Sequence, residues 1–417
     1  MNSLQKRMFF YILVFPVTGF AQNNSSPYSV LGIGDIENSY FNRYTGMANA
    51  GVALSDLKFI NNSNAATLSS LGDRVFLFEL STRLKQVYYS GANIKSDKDK
   101  TTDFAVRRAN IAIKVSKKWG TSVGLQPFST AAYNYAAYKN VQGSNQSVPA
   151  EYQGEGGVNQ FYWANGYRVT KNTSIGITSS FLFGSIKQTE NLLENDLASS
   201  LTTVKNTYLR NFYFNFSAYT RKKISNRWTT SYGATYSFKT PLFAEYKVEV
   251  NDGDGNLVKK NETQNDYFSL PASLNLGIAM IKDDRYTFTI NAQQQNWSNL
   301  NYGGIGYRLV NSNKVSAGFQ HSMKAKNAFN NDYERSFFQL GLYAGNSYLK
   351  VNNSQLTDFG ASVGYGRSLN NSPMSYSLSL EAGRRGTAKK ELLSENYVNL
   401  NFTLSYLDIF YKGKRYH

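Results

Sequence analysis

The 417-residue sequence has no cysteine, only two histidines and only seven prolines. The lack of cysteine excludes disulfide bonds and lipid attachment through cysteine, so any membrane attachment has to come from the fold itself. A zinc or copper site is not expected without cysteine and with two histidines far apart. Catalysis by a positioned imidazole is not expected either. We therefore predict no metal, no cofactor and no enzymatic activity.

Long apolar runs are missing as well. Residues 8–17 are apolar, but a membrane-spanning helix needs about 20 such residues. This run follows Lys6 and Arg7 and precedes small residues that end at Ala21, which is the order found in secretory signal peptides. We predict a signal peptide over residues 1–21 and export of the remaining chain.

Positive charge dominates, with a formal net charge of +17. Such a balance suits nucleic acid, anionic lipid or lipopolysaccharide. The basic residues form no long run and cluster where turns and loops are expected, as in residues 95–100, 221–223 and 384–390. Because an exported chain meets lipid and lipopolysaccharide first, we predict those partners and no nucleic acid.

Aromatic residues and glycine are abundant, with 31 Tyr, 27 Phe and 32 Gly. Many segments alternate between apolar and polar residues, as in residues 228–239, 374–383 and 398–406. Since successive strand side chains face opposite sides of a sheet, each segment has one apolar and one polar face. A soluble sandwich could share this pattern. Long segments, aromatic apolar faces almost free of charge and the signal peptide favour a transmembrane barrel.

The alternation predicts an all-β fold, a transmembrane antiparallel β-barrel of about 14 strands. The predicted strands are 75–90, 105–116, 120–126, 157–169, 173–189, 209–222, 228–239, 268–281, 286–296, 314–323, 335–346, 358–368, 374–383 and 397–410. Short turns alternate with long loops, apart from a longish connection at 324–334. Short turns are periplasmic in outer-membrane barrels, so both ends of the mature chain are expected in the periplasm and the protein in the cell outer membrane.

Several pieces of the sequence resemble the FadL/OmpP1/TodX family of outer-membrane transporters in its Bacteroidota form. They include "SSPYSVLGIGDIENSYFNRYTGMANAGVALSD" from Ser25, "GEGGVNQFYWANGYRV" from Gly154 and "EAGRRGT" from Glu381. The resemblance implies a fourteen-stranded barrel over residues 75–417, with residues 22–74 folded inside it as a hatch. It also implies transport of hydrophobic molecules, such as long-chain fatty acids, through a lateral opening.

The candidate gate is the stretch Gly46–Leu71, whose small residues let the backbone approach a barrel wall closely. Its gate residues are Gly46, Gly51, Asn61, Asn64 and Ala65. The family usually has Asn-Pro-Ala motifs here, whereas Asn62 and Ala65 stand at the proline positions of this chain. Because proline fixes φ, we expect this hatch to be less rigid.

Few other residues suggest chemistry. Lys239 and Glu381 occupy polar-face positions and are candidate lumen-facing residues. His321 follows apolar residues of one strand face, which favours an interfacial aromatic over a catalytic role. The run "NDGDGN" from Asn251 resembles part of a calcium loop but lacks the downstream Glu, so a hairpin turn is favoured.

Two functions follow as hypotheses. The first is a gated outer-membrane barrel that admits a hydrophobic or amphipathic small molecule of the fatty-acid or hydrocarbon class. The second is a non-transporting accessory or plug subunit of a larger outer-membrane complex, such as the type 9 protein secretion translocon. A soluble exported sandwich is a third and weaker alternative.

Overall fold

The computed structural model describes residues 26–37, 39–91, 99–140, 147–192, 200–300, 303–304, 306–326, 332–369, 372–387 and 392–409. The predicted signal peptide and His417 lie outside the described residues. In the described part of the chain, no helix is long and apolar enough to cross a membrane.

Fourteen antiparallel strands, numbered here β1–β14, form a closed barrel. They are β1 (Val75–Gly91), β2 (Lys100–Lys114), β3 (Trp119–Thr130), β4 (Ser147–Arg168), β5 (Thr173–Leu192), β6 (Leu201–Lys223), β7 (Trp228–Ser237), β8 (Ser273–Lys282), β9 (Tyr286–Gln295), β10 (Ser312–Lys326), β11 (Asp332–Val351), β12 (Ser354–Ser368), β13 (Met374–Gly386) and β14 (Leu393–Ile409). Each pairs with its sequence neighbour, and β1 pairs with β14 from Val75↔Ile409 to Gly91↔Leu393. The predicted all-β barrel is therefore confirmed.

The remaining regular elements are short or lie in connections. In the described part of the chain, six further strands are Asp35–Ile36, Tyr133–Asn140, Thr240–Asp252, Leu257–Leu270, Gly303–Gly304 and Tyr307–Leu309, and the 3-10 helices there are Pro27–Val30, Arg43–Met47, Ala65–Ser70 and Trp297–Leu300. Residues 240–270, predicted as mostly loop, form a hairpin that extends the β6 side of the sheet. Alternation is weaker in this polar stretch, so the sequence did not mark it as strand.

One predicted long loop is in fact a tight turn. Residues 347–357 were expected to be irregular, but β11 and β12 continue to Val351 and from Ser354. Asn352 and Asn353 join them with φ of 45° and 62°, the left-handed backbone that two-residue hairpins require. The longish connection at 324–334 shortens in the same way, because β10 reaches Lys326 and β11 begins at Asp332.

The two faces of the barrel have the predicted compositions. Tyr232, Phe288 and Leu342 represent the outward face, where large apolar side chains are 49%, 49% and 65% exposed. On the inward face, Ser231, Thr289 and Ser362 are buried. Outward apolar side chains match a lipid surround, and the inward polar side chains need partners inside the barrel.

Residues 26–74, which we call the amino-terminal segment, run from the long-loop end of the barrel to the short-turn end. The Ser26 amide bonds the Ala132 carbonyl beyond the end of β3, at 3.2 Å, and its hydroxyl bonds Glu395 at the start of β14. At the other end, Val75 begins β1 at the short-turn edge. The expectation that the mature chain begins in the periplasm is therefore wrong for its first described residue, which lies at the opposite end.

Candidate functional site

Inward-facing glycines of the barrel wall contact the backbone of the amino-terminal segment. A methyl group added at any of these glycines would overlap that segment, at Leu68 for Gly120, Ala65 for Gly166, Ala66 for Gly176, Val52 for Gly233, Met47 for Gly318 and Ala48 for Gly341. Strand register places several of them side by side, as in the pairs Gly166↔Gly176, Gly233↔Gly277 and Gly318↔Gly341. The wall is thus shaped to receive the segment's backbone.

The two predicted gate glycines meet different neighbours. A Cβ on Gly46 would lie 2.5 Å from the Gln339 side-chain oxygen and 2.8 Å from the Gly364 Cα. Gly46 therefore lies at a glycine-to-glycine contact with β12. A Cβ on Gly51 would lie 2.6 Å from the Tyr44 ring, so this glycine serves packing within the segment.

The predicted residues Asn61 and Asn64 connect separate parts of the segment. The Asn61 amide donates to the carbonyl oxygens of Gly51 and Leu54 at 2.8 and 2.6 Å. Asn64 donates to Val52 of the segment and Ala218 of β6 at 2.8 and 3.0 Å. Its oxygen also accepts from the Ala66 amide, which caps the 3-10 helix that begins at Ala65.

Asn62, which stands where the resemblance would place proline, has its own hydrogen bonds. Its amide donates to the Tyr40 carbonyl at 3.0 Å and to Gln126 of β3 at 2.9 Å, and its oxygen accepts from Asn42 at 3.0 Å. A proline could supply none of these side-chain bonds. Asn62 therefore lacks the fixed φ of a proline, but its side-chain hydrogen bonds link this position to β3 of the barrel wall.

Arg43 is the most heavily bonded cation of the segment. It forms ion pairs with Asp56 of the segment and, at 3.0 Å, with Glu334 of β11. Its guanidinium also lies 3.9 Å from the Phe337 ring centre. Two carboxylates, those of Asp56 and Glu334, therefore compensate the charge of the Arg43 guanidinium inside the barrel.

A second buried ion pair lies on β1 and β2. Glu79 and Arg108 are in contact, and both side chains are completely inaccessible to solvent. The other Glu79 oxygen accepts from the Ile60 amide at 2.6 Å. This pair therefore holds the segment as well as the wall.

Two polar cavities lie inside the barrel, and Ile36, Glu37 and Ser39 line both. The first, the charged cavity, has about 110 Å³ and is lined by charged groups that include Arg83, Lys85, Asp358, Glu381, Arg385 and Glu395. The second, the seam cavity, has about 150 Å³ and is lined mainly by amides, hydroxyls and aromatic rings, including Gln126, Phe128, Gln160, Tyr213, Asn215 and Trp297. Both are smaller and more polar than typical ligand pockets.

The wall beside the seam cavity is incompletely paired. β2 and β3 pair only from Ala109↔Leu125 to Lys114↔Gly120. Towards the long-loop end, the described part of β3 pairs instead with the segment, as Ser129↔Ile36 and Thr130↔Asp35, after a bulge at Phe128. We call this unpaired boundary between β2 and β3 the seam. Because Gln126 and Phe128 also line the seam cavity, the seam lies against it.

Charged side chains flank the seam on its inner side. Asp103 and Arg107 of β2 form a buried ion pair at 2.6 Å, and Glu37 pairs with Arg83 at 3.0 Å. Arg83 therefore compensates the charge of the Glu37 carboxylate beside the seam.

The long-loop end of the segment is held by apolar packing. Tyr28, Ile33 and Ile36 join a buried cluster with strand and loop residues that include Leu182, Leu209, Phe268, Trp297, Tyr348 and Leu392. Trp297 stacks on Tyr348 with ring centres 4.7 Å apart. We call this cluster the apolar seal, because it closes the barrel above both cavities.

The remaining predicted residues are spread through the fold. Glu381 lines the charged cavity and accepts from the Tyr343 hydroxyl at 3.1 Å. Lys239 follows the last residue of β7, is exposed and is not near Glu381. His321 stacks on Tyr286 with ring centres 4.8 Å apart.

The "NDGDGN" run forms a hairpin turn. Asp252 accepts from the backbone amides of Asp254 and Asn256, at 3.1 and 2.7 Å, and Gly255 has a φ of +83°. Side-chain bonding of this kind stabilises turns. In the described residues, no group of three or more His, Cys, Asp or Glu side chains is arranged to hold a metal ion.

Sequence reasoning missed the seam, the ion pairs of Arg43 and Glu79, and the apolar seal. These features bring together residues that are far apart in the sequence, so no local sequence pattern predicts them. The inward-facing glycines that contact the segment, the glycine wall, were partly predictable from the sequence. Gly166 and Gly176 fall on predicted polar faces, where small residues permit close approach.

Solved structures of similar fold include a FadL homologue and a toluene transporter. A Pseudomonas aeruginosa FadL homologue has a TM-score of 0.61 and 13% identity, with 91% of this chain and 100% of that chain covered. The P. putida toluene transporter TodX has a TM-score of 0.57 and 15% identity, with 88% and 99% covered. The expected FadL/TodX-like outer-membrane barrel fold is confirmed by these likenesses. No curated protein matches the chain.

A protein-family model gives the more specific relationship. The model described as BamG matches residues 4–417, nearly the whole sequence. The chain therefore belongs to the BamG family.

Proposed function

We propose that this outer-membrane barrel admits small amphipathic molecules through the seam between β2 and β3. The observation that carries the proposal is the seam itself, where strand pairing stops and the side chains of Gln126 and Phe128 line an internal cavity. A molecule arriving from the lipid side would reach this cavity without passing the apolar seal. The similar structures titled as a toluene transporter and a FadL homologue support a channel of this class.

The lining suggests the kind of molecule. Aromatic rings of Phe128, Tyr213 and Trp297 offer apolar contact, while the amides of Gln126 and Asn215 offer hydrogen bonds. A volume of about 150 Å³ suits a single-ring aromatic compound with a polar group better than an extended acyl chain. The amino-terminal segment, which forms one side of the cavity, would act as the hatch, with Gly46, Gly51, Asn61, Asn64 and Ala65 as its hinge and contact residues.

Uptake of a radiolabelled phenol by cells that produce the protein, compared with cells lacking it, tests this proposal. Thr178 of β5 also lines the seam cavity, so Thr178→Trp should fill this cavity and reduce uptake to the level of cells without the protein. Asn399→Trp, which changes the charged cavity, is the matched control and should leave uptake intact. Equal uptake in cells with and without the wild-type protein would refute the proposal.

A second candidate is a non-transporting accessory or plug subunit of a larger outer-membrane complex. It is favoured by the way the segment is held, since Arg43 of the segment forms an ion pair with Glu334 of β11, and Glu79 of β1 accepts a hydrogen bond from the Ile60 amide of the segment. Under this second candidate, the barrel would be of the Bacteroidota type and the larger complex would be one such as the type 9 secretion translocon.

Gentle detergent extraction and affinity purification would separate the two candidates. The accessory role predicts a stoichiometric larger outer-membrane protein in the eluate, and the variant Thr178→Trp should retain it. A monomer that transports phenol after reconstitution alone would contradict the accessory role.

A further inference from the structure

Basic side chains dominate one part of the short-turn edge. The strand ends and turns of β2 to β7 carry nine cations, Lys114, Lys117, Lys118, Arg168, Lys171, Arg221, Lys222, Lys223 and Arg227, and no acidic residue lies in residues 114–123, 164–176 or 217–231. This edge faces the periplasm, because short turns are periplasmic in such barrels. It therefore presents a strong positive field to the periplasm.

Part of this edge surrounds an open cavity, which we call the periplasmic mouth. It has about 510 Å³ and its lining includes Asp56, Leu57, Arg168, Lys171, Arg221 and Lys223. The segment forms one side and the wall from β4 to β7 forms the other. This opening is more than three times as large as either interior cavity.

The cations of the mouth point towards the barrel axis. Arg221 and Lys223 share a face of β6 with Ser217 and Tyr219, whose hydroxyls bond the segment at Ala66 and Ser55. Arg168 of β4 donates to the Ser69 carbonyl at 2.8 Å. Side chains in these positions face water rather than lipid, which argues against a lipid headgroup as the occupant.

Much of this positive charge has no internal partner. Asp56, the acidic residue of the mouth, is already paired with Arg43, and Arg221 forms a solvent-exposed ion pair with Asp284 at 3.2 Å. Within the described part of the chain, no ion pair involves Lys171 or Lys223. Leu57 adds an apolar element, since it is 62% exposed between these cations.

We propose that the periplasmic mouth binds an acidic polypeptide segment of a partner protein, with an apolar side chain placed against Leu57. Carboxylates would pair with Lys171, Arg221 and Lys223, which lie around a space too large for a single inorganic anion. Such a contact combines charge steering with one buried apolar anchor, as protein interfaces commonly do. The site differs from the seam cavity and does not depend on transport.

The test uses the full protein in neutral detergent and a fluorescent peptide of glutamates around a central leucine. Anisotropy should report binding that weakens as sodium chloride is raised, and a peptide with glutamine in place of glutamate should not bind. The double variant Lys171→Glu, Lys223→Glu should weaken binding by about tenfold or more. Leu57→Ser should weaken it less, by about threefold.

The matched control is Lys117→Glu, Lys118→Glu, which changes the net charge equally on the same edge but outside the mouth. It should retain binding within about twofold, and circular dichroism should show that both double variants are folded. If both double variants lost the same affinity for the peptide, the proposal would be overturned, because the total positive charge of the short-turn edge would then explain binding. Equal affinity for the glutamine peptide, or complete displacement by phosphatidylglycerol nanodiscs, would overturn it too.

Discussion

At the long-loop end one large apolar cluster holds the amino-terminal segment, whereas in the lower barrel, the half near the short turns, ion pairs, amide hydrogen bonds and glycine contacts are combined with two smaller apolar clusters. Residues 26–36 contribute Tyr28, Ile33 and Ile36 to the apolar seal. Residues 40–71 have Arg43 in ion pairs, Asn61 and Asn64 in hydrogen bonds, and backbone against the glycine wall. Both ends are buried, but through different chemistry.

The difference teaches how a barrel with a polar inner face can be filled. Polar inward side chains leave donors and acceptors that apolar filler could not satisfy, so the lower segment supplies amides, carbonyls and charges. Above the membrane-spanning part, strand ends and loops can turn apolar side chains inward and form an ordinary core. We expect the free energy of unfolding to fall when one partner of a polar contact is removed in the lower barrel. At the long-loop end we expect it to fall when a buried apolar side chain is shortened.

The largest effect is expected from Glu79→Ala in the lower barrel. It leaves Arg108 charged, buried and unpaired, and should lower the free energy of unfolding in detergent by about 3 to 5 kcal/mol. Guanidinium titration followed by tryptophan fluorescence would measure it. The double variant Glu79→Leu, Arg108→Leu removes both charges and should be more stable than Glu79→Ala. If Glu79→Ala were as stable as the wild-type protein, the Glu79–Arg108 pair would not be holding the segment.

The apolar seal is tested by Ile33→Ala. Ile33 is 3% exposed, so truncation leaves a cavity and should lower the free energy of unfolding by about 2 to 5 kcal/mol. Leu57→Ala is the control, because that leucine lies in the same segment but is 62% exposed. The control should change stability by less than about 0.5 kcal/mol. Similar losses in both variants would mean that burial in the seal is not the cause.

A smaller effect is expected at the glycine wall from Gly341→Val. The new side chain overlaps the backbone at Met47 and Ala48, which should cost about 1 to 3 kcal/mol in stability. Hydrogen exchange at Ala48 should also become faster, because the segment has to move. Ala344→Val on the outward face of the same strand should change neither quantity. Unchanged exchange at Ala48 would count against close contact there.

The smallest effect is expected from Tyr28→Phe at the long-loop end. The Tyr28 hydroxyl donates to the Leu393 carbonyl at 2.8 Å and accepts from its amide at 3.0 Å. Its loss should lower the free energy of unfolding by about 1 kcal/mol, since the ring still packs in the seal. Tyr138→Phe, at a tyrosine that is 76% exposed, should have no measurable effect. A loss as large as that of Ile33→Ala would show that hydrogen bonding dominates the seal.

The sequence by itself determined that the chain forms a barrel and which side chains of each strand face outward or inward. Alternation such as that of residues 228–239 reports which face meets lipid, because every second side chain of a strand points the same way. The number of strands followed from these segments, and the Asn352–Asn353 turn also rests on local backbone preference, although residues 347–357 were expected to be a long loop. These properties depend on neighbours in the chain and are therefore readable from it.

Only the tertiary structure decided what the barrel contains. Gly341 contacts Ala48, Glu79 binds the Ile60 amide, and β3 leaves β2 to pair with Asp35 and Ile36. Each contact depends on strand register around a closed circle and on the path of the segment through it. A shift of one residue would turn these side chains to the other face, so the seam, the cavities and the periplasmic mouth exist only once the barrel has closed.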